Sequence, residues 1–311
     1  MTSITINRLP VNTWNRLNVN AAQVTWQENA AGKTENTIHA KNGETVTEYV
    51  SISEGPAYAE QTLFLNAGAG SRLTVFETVK TACPQAAQVN IKAQENAQVR
   101  LVQLLYPTCG ALLRHEISAD LAQNAKVEIL TLMLGDGDIY ADNRVTLTGK
   151  GSSLDTKVAY LGQREQKLDY NIEVLHFGQN TSCDIAVNGA LTDASQKVFR
   201  GTIDFKNGSS GSVGHENEAV LMLGNDVVNK TVPLILCAEE NVEGTHGATI
   251  GELDEATLFY FESRGMDKKT AESMLARAAL VKLVSLADDE RFAKDALDAV
   301  NTLLPEAPQE V

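Results

Sequence analysis

The sequence predicts a mainly β protein: a β-solenoid followed by a short helical tail. Three observations carry this. A turn containing Asn or Gly recurs at Gly68, Asn96, Asn124, Gly151, Asn180 and Gly208, at intervals of 28, 28, 27, 29 and 28 residues. In most units a run alternating at period two follows the turn, as in Leu73-Thr74-Val75-Phe76, Val99-Arg100-Leu101-Val102, Val127-Glu128-Ile129-Leu130-Thr131-Leu132 and Leu154-Asp155-Thr156-Lys157-Val158-Ala159. That alternation is the mark of strands. Past residue 252 the period changes to that of helices.

Short strands on a fixed repeat mean a solenoid, a propeller or a barrel. A propeller blade takes about 40 residues or more, so the shorter interval favours a solenoid. Each unit cannot bury its own apolar face, and stacking buries a continuous core. Asn and Gly occupy the turns because left-handed backbone is least costly for them. Asn42-Gly43 reads as a preceding unit at a shorter interval. Residues 1–35 do not fit the repeat and are expected to cap an end of the β-helix core, which spans 36–252.

Residues 253–311 form the expected helical domain. Asp254 can cap a helix running to Arg264, with Gly265 at its end. Asp267 can cap a second helix whose Met274, Leu275, Ala278, Val281 and Leu286 recur at helical spacing. A third covers about Asp289 to Leu304, with Phe292, Ala296, Val300 and Leu303 on one face. Pro305 stops it, and Glu306 to Val311 read as a frayed tail.

Composition narrows function. The chain has 311 residues, 43% hydrophobic, and a formal net charge of −14. Such a surface repels phosphate, which argues against nucleic acid and anionic membranes as partners. No apolar run approaches the ~20 residues that cross a bilayer. The N-terminus lacks a basic region followed by an apolar block. Four scattered cysteines, Cys83, Cys109, Cys183 and Cys237, form no CxxC pair, which argues against a disulfide scaffold or structural zinc. A cytoplasmic location is expected. There is no phosphate-binding GxxxxGK[ST] loop, no GxSxG elbow and no HExxH helix.

The candidate site is His246, where the β region meets the tail. Glycines at 244 and 247 flank it, so the backbone can approach a partner closely. Histidine titrates near neutrality and is a common metal ligand. Cys237 lies one strand earlier, after Pro233-Leu234-Ile235-Leu236; it is either a thiolate ligand or sulfur carrier, or a buried core thiol. Glu243 could hold a metal ion transiently or be an ordinary turn glutamate. His215, Glu216 and Glu218 form a polar cluster that either contributes oxygen or nitrogen ligands or is a solvated strand, the latter being the preferred reading. His39, His115 and His176 read as structural. Leu258-Phe259-Tyr260-Phe261 reads as the anchor of the tail on the β body.

Three stretches, Asn229-Lys230-Thr231-Val232-Pro233-Leu234-Ile235-Leu236-Cys237, Glu243-Gly244-Thr245-His246-Gly247-Ala248-Thr249 and Leu258-Phe259-Tyr260-Phe261-Glu262-Ser263-Arg264-Gly265, together resemble the C-terminal signature of the SufB/SufD family, core proteins of the SUF iron–sulfur cluster assembly system. The strong resemblance runs from about Leu175 to Leu286. It implies a right-handed parallel β-helix with a C-terminal helical domain, pairing of SufB with SufD through the β-helix ends, and docking of the C-terminal helices on SufC, an ABC-type ATPase. It implies an iron–sulfur cluster or iron held transiently at a subunit interface, with His246 as metal ligand and Cys237 and Glu243 beside it, and sulfur reaching the complex indirectly from a cysteine desulfurase system. SufB-like proteins carry Glu-His-Glu in this turn and a sulfur-accepting cysteine about two strands earlier. Here the turn is Thr245-His246-Gly247, and no cysteine stands near Asn217 to Ala219, so the form is that of SufD. The expectation is a non-catalytic SufD-like scaffold subunit. The alternatives are a compact homodimeric scaffold of a minimal SUF system and a carbohydrate-active β-helix enzyme. The last needs carboxylates projecting into an outer groove, and only 5% aromatic residues are present for sugar stacking.

Overall fold

The computed structural model describes residues 1–13, 15–27, 32–53 and 57–304. Two strands precede the repeat: β1 (Thr2–Ile6) and β2 (Ala22–Trp26), paired antiparallel. Among the described residues the body is wound from sixteen strands. Odd-numbered strands form one parallel sheet: β3 (Lys33–Ala40), β5 (Ala59–Ala67), β7 (Gln85–Ala93), β9 (Leu113–Leu121), β11 (Ile139–Leu147), β13 (Lys167–His176), β15 (Gln196–Phe205) and β17 (Val228–Cys237). Even-numbered strands form the facing sheet: β4 (Thr45–Ile52), β6 (Arg72–Thr81), β8 (Gln98–Pro107), β10 (Lys126–Met133), β12 (Ser153–Gly162), β14 (Ser182–Leu191), β16 (Val213–Met222) and β18 (Glu243–Gly251). Each odd–even pair is one coil, and each strand bonds its counterpart one coil away. This is a parallel β-solenoid of about eight turns.

Alternation decides what fills it. Inward residues such as Leu73, Val99, Val127 and Leu154 stack in a continuous luminal core with Ile172, Phe199 and Phe205. One corner of each coil from β3–β4 to β15–β16 needs left-handed backbone. Gly43, Gly70, Asn96, Asn124, Gly151, Asn180 and Gly211 stack there with φ between 54° and 78°. Each donates its backbone N–H to a carbonyl of the next coil. The Asn124 amide also donates to Asn96 Oδ1 at 3.1 Å. The corner column uses Gly70 and Gly211 where sequence spacing pointed to Gly68 and Gly208. An even period fitted to uneven loops drifts by two or three residues at its ends.

The tail comprises α1 (Glu255–Glu262), α2 (Lys268–Leu286) and α3 (Glu290–Leu303). Asp254, Asp267 and Asp289 cap them, each accepting from a backbone N–H three residues on. Gly265 has φ 82°, as its place after α1 requires. Pro305 and the residues after it lie outside the described residues. Helices α2 and α3 lie on the outer face of the even sheet. Ala276, Leu280, Leu283, Val284, Ala287, Phe292, Ala296 and Val300 cover Phe76, Val102, Leu104, Leu130, Leu132, Ala159, Leu161 and Ala190. Arg100 Nη1 donates to the Ala287 carbonyl at 2.9 Å, satisfying a helix-end acceptor. Tyr49, in the first coil, donates to Asp289 Oδ2 at 2.6 Å, so the tail runs from the last coil back to the first.

Two expectations about the tail are corrected. The buried stripe of α2 is Ala276, Leu280, Leu283 and Val284, whereas Met274 and Leu286, placed on the packing face by sequence, are exposed. Phe259 and Tyr260 are also exposed, and only Phe261 of that aromatic stretch is buried. The anchor is α2 and α3. The first residues are placed by their own contacts. Leu9 and Val19 pack on Val232, and Asn7 Nδ2 donates to Asp169 Oδ1 at 2.6 Å, placing this segment along the outer flank of the odd sheet.

Candidate functional site at the open end of the solenoid

The last coil is made of β17 and β18, each the outermost strand of its sheet. Register carries the inward and outward faces from coil to coil. In β16, Gly214, Glu216, Glu218 and Val220 are buried, facing the lumen, while His215 and Asn217 face out. Their partners in β18 follow suit: Gly244, His246, Ala248 and Ile250 on the luminal side, Glu243, Thr245 and Gly247 on the outer side. The bond between His215 Nδ1 and Thr245 Oγ1, 2.7 Å long, confirms the outer pairing. His246 therefore stands in the luminal file directly above Glu216. Among the described residues no further coil lies over it, and it is exposed.

Cys237 ends β17 in the luminal file above His176 and Phe205, and it too is exposed. Glu243 is exposed on the face of β18 opposite to His246. The fold thus brings His246 and Cys237 to the same open end and turns Glu243 away from His246. An exposed imidazole and an exposed thiol are donors that iron accepts. Among the described residues no group of three or more His, Cys, Asp or Glu is placed to hold a metal ion. The donors are offered singly.

The coil beneath holds two carboxylates whose burial sequence reasoning missed. Glu216 and Glu218, read as a solvated strand, are 2% and 4% exposed. Lys197, fully buried from the facing sheet, pairs with Glu218 Oε1 and lies 3.0 Å from Thr231 Oγ1. Thr231 donates to Glu218 Oε2 at 2.6 Å. Glu216 has no such partner, and its Oε2 makes no hydrogen bond. Burial, then the neighbouring Glu218 charge, push its carboxyl up to about 8, with Lys197 opposing. Burial lowers the Lys197 ammonium below its ordinary range, against the pull of Glu218. The signal was present: Cys183, Ile185 and Val187 are the register partners of Gly214, Glu216 and Glu218, and the first three are plainly core.

The remaining histidines and cysteines divide by depth. His115 is buried 3.1 Å from Glu77 and 3.0 Å from Gln103. His176 lies 3.3 Å from Cys183 Sγ and 2.7 Å from Thr181 Oγ1. Burial drops His176 to about 4 and raises the Cys183 thiol to about 12. Both are neutral, so Cys183 is not a reactive thiolate.

A parallel β-solenoid with a helical tail folded along one sheet, ending in an exposed luminal histidine, defines the class. The model of the SufBD core domain of SUF system FeS cluster assembly matches residues 49–279, and the chain belongs to that family. The iron–sulfur cluster assembly protein SufD of Bacillus subtilis (strain 168) is 29% identical over 163 residues, 52% of this chain and 37% of the relative. SufD of Escherichia coli (strain K12) is 23% identical over 221 residues, 70% of this chain and 52% of the relative. A SufBD family protein of Pyrococcus horikoshii is 23% identical over 231 residues, 64% of this chain and 51% of the relative. The chain spans about half the length, or less, of these curated relatives. Within the family it is SufD-like. Among the described residues no helix is long and apolar enough to cross a membrane.

Proposed function

We propose that this chain is a non-catalytic, SufD-like scaffold subunit of iron–sulfur cluster assembly. Residues 36–252 form its body and 253–311 its docking module, and the site lies in a reducing, cytoplasmic-type compartment. The observation that carries the reading is His246, an exposed imidazole held in the luminal file of a coil whose two strand edges are unpaired. An open parallel edge is a template for another chain. A SufB-type homologue stacked there would bury the edge and add the donors that this chain offers only singly. Iron or a nascent cluster is the cargo of that junction. His246 is its ligand from this side, and Cys237, at the same end, is a second donor. Glu243, on the outer face, serves the contact between subunits. The exposed residues Phe259, Tyr260, Met274 and Leu286 suit the helical tail to a partner such as a SufC-type ABC ATPase. Sulfur arrives through the partner from a cysteine desulfurase system.

The open edges also suit a second copy of this chain, as in a homodimeric scaffold. Anaerobic affinity purification of the tagged chain from its host separates these readings. Recovery of an ABC-type ATPase with a larger β-helix homologue is the expected result, with cluster colour lost from the His246→Ala complex. Recovery with the ATPase alone establishes the homodimer. Recovery of neither overturns the assembly role.

A further inference from the structure

We propose that Glu216 is a second metal ligand of this chain, one coil beneath His246, so that the open end binds a divalent first-row transition ion between a luminal carboxylate and an imidazole. The inference rests on reading His246 as a donor. It adds a residue that no sequence motif marks.

Register supplies the geometry. Glu216 and His246 are Cα partners on adjacent parallel strands, about 4.8 Å apart, with side chains on the same side of the sheet. An ion seated between the two side chains, at the top of this file, is within reach of both. Glu216 is 2% exposed with Oε2 unpartnered. A buried carboxylate oxygen with no hydrogen-bonding partner is costly, and retaining one wants an explanation. Structural pairing does not supply it, because Lys197 and Thr231 are both engaged with Glu218.

The fold also makes room for this carboxylate. Gly201 faces it from β15, and a Cβ there would overlap both carboxylate oxygens and their carbon. A position that needed only to fill the lumen would carry an aliphatic residue, as Ile185 does one coil below. Above Gly201 the next residue is Pro233, only half-buried, and above Glu216 it is the exposed His246. The carboxylate is therefore one layer from solvent, under the unpaired end.

The charges agree. Two glutamates and one lysine leave this part of the lumen short of one positive charge when both carboxylates are ionised. A bound divalent cation supplies it, and no electron is exchanged. One carboxylate oxygen and one imidazole nitrogen suit Fe²⁺, Mn²⁺, Co²⁺ or Zn²⁺ better than Ca²⁺ or a thiophilic ion. The remaining positions belong to water or to a partner's side chain.

The test is titration of the chelator-stripped full-length chain with Co²⁺ alone, followed by calorimetry and by visible d–d absorbance. Glu216→Gln keeps the shape and removes the charge, and Glu216→Asp keeps the charge and shortens its reach. Circular dichroism and thermal melts verify that each folds. Expected are at least tenfold weaker binding in Glu216→Gln and in His246→Ala, a smaller loss in Glu216→Asp, and a double variant little worse than either single one. If Glu216→Gln binds Co²⁺ within twofold of the parent while His246→Ala does not, the Glu216 proposal falls and the His246 reading stands. If neither variant weakens binding, both fall.

Discussion

Glu216 and His176 face the same lumen, and burial drives their protonation in opposite senses relative to stability. Glu216 titrates near 8 in the folded chain against 4.5 for an ordinary glutamate. Between those values the folded state holds the extra proton, so stability declines as pH rises through the window. Above pH 8 the full penalty, on the order of a few kcal/mol, is present. Glu216→Gln is expected to melt higher than the parent in metal-free buffer, by a margin that grows from pH 4.5 to 8 and then levels. His176 titrates near 4 against 6.5. There the unfolded state takes the proton first, so stability is lost as pH falls from 6.5 to 4. His176→Gln should flatten that acid limb. Melting temperature against pH for the three proteins checks both signs. None of this was legible in the order Gly214-His215-Glu216-Asn217-Glu218, which reads as polar and solvated. Charge along a strand says nothing about facing; only the phase of the repeat does, and that was set by Ile185 and Val187 one coil earlier.

At the scale of elements, capping and turns are local chemistry. Asp254, Asp267 and Asp289 each satisfy an orphan N–H at the start of a helix, and Asn and Gly fill the left-handed corner column, so sequence spacing located these features well. The face of α2 was not local. Its apolar residues surround much of the helix, and the sheet selected the stripe Ala276, Leu280, Leu283 and Val284, leaving Met274 and Leu286 outside. Helix α3 has a single apolar face, so Phe292, Ala296 and Val300 were read correctly. Phe292 is the keystone, 5.9 Å between ring centroids from Phe76 of the even sheet. Phe292→Ala is expected to cost about 3–5 kcal/mol. Hydrogen exchange should show the loss in α2 and α3, with the luminal strands β8 to β14 retaining protection. Equal deprotection of those strands would mean that tail and solenoid unfold as one unit.

At the scale of the whole molecule, the solenoid has two unpaired ends, β3 with β4 and β17 with β18. Among the described residues every inner strand edge is answered by the next coil, and no strand lies above the last coil. Ile250 shows the consequence: its luminal partner Val220 is 4% exposed, while Ile250 itself is 46% exposed. Purified alone, the chain is expected to self-associate through this end. Light scattering should show a dimer that Ile250→Lys converts to monomer without lowering the melting temperature. A dimer indifferent to Ile250→Lys would place the contact elsewhere. The acidic surface, net −14, favours a discrete contact over open-ended stacking, because each added copy increases repulsion.

The sequence by itself determined the architecture: a repeat near 28 residues, corner Asn and Gly, capped helices, and a histidine at the last turn whose neighbours mark the family. These are features of chain spacing and backbone preference, which act locally and recur. The tertiary structure alone decided which residues meet. It separated Glu243 from His246 by the alternation of a single strand, and set Cys237 and His246 at one end. It laid the helices along the even sheet and drew Glu216 beneath His246 from a strand thirty residues away. Parallel register, not proximity in sequence, makes that last pairing, because stacking coils aligns positions a whole turn apart and removes the lower one from water.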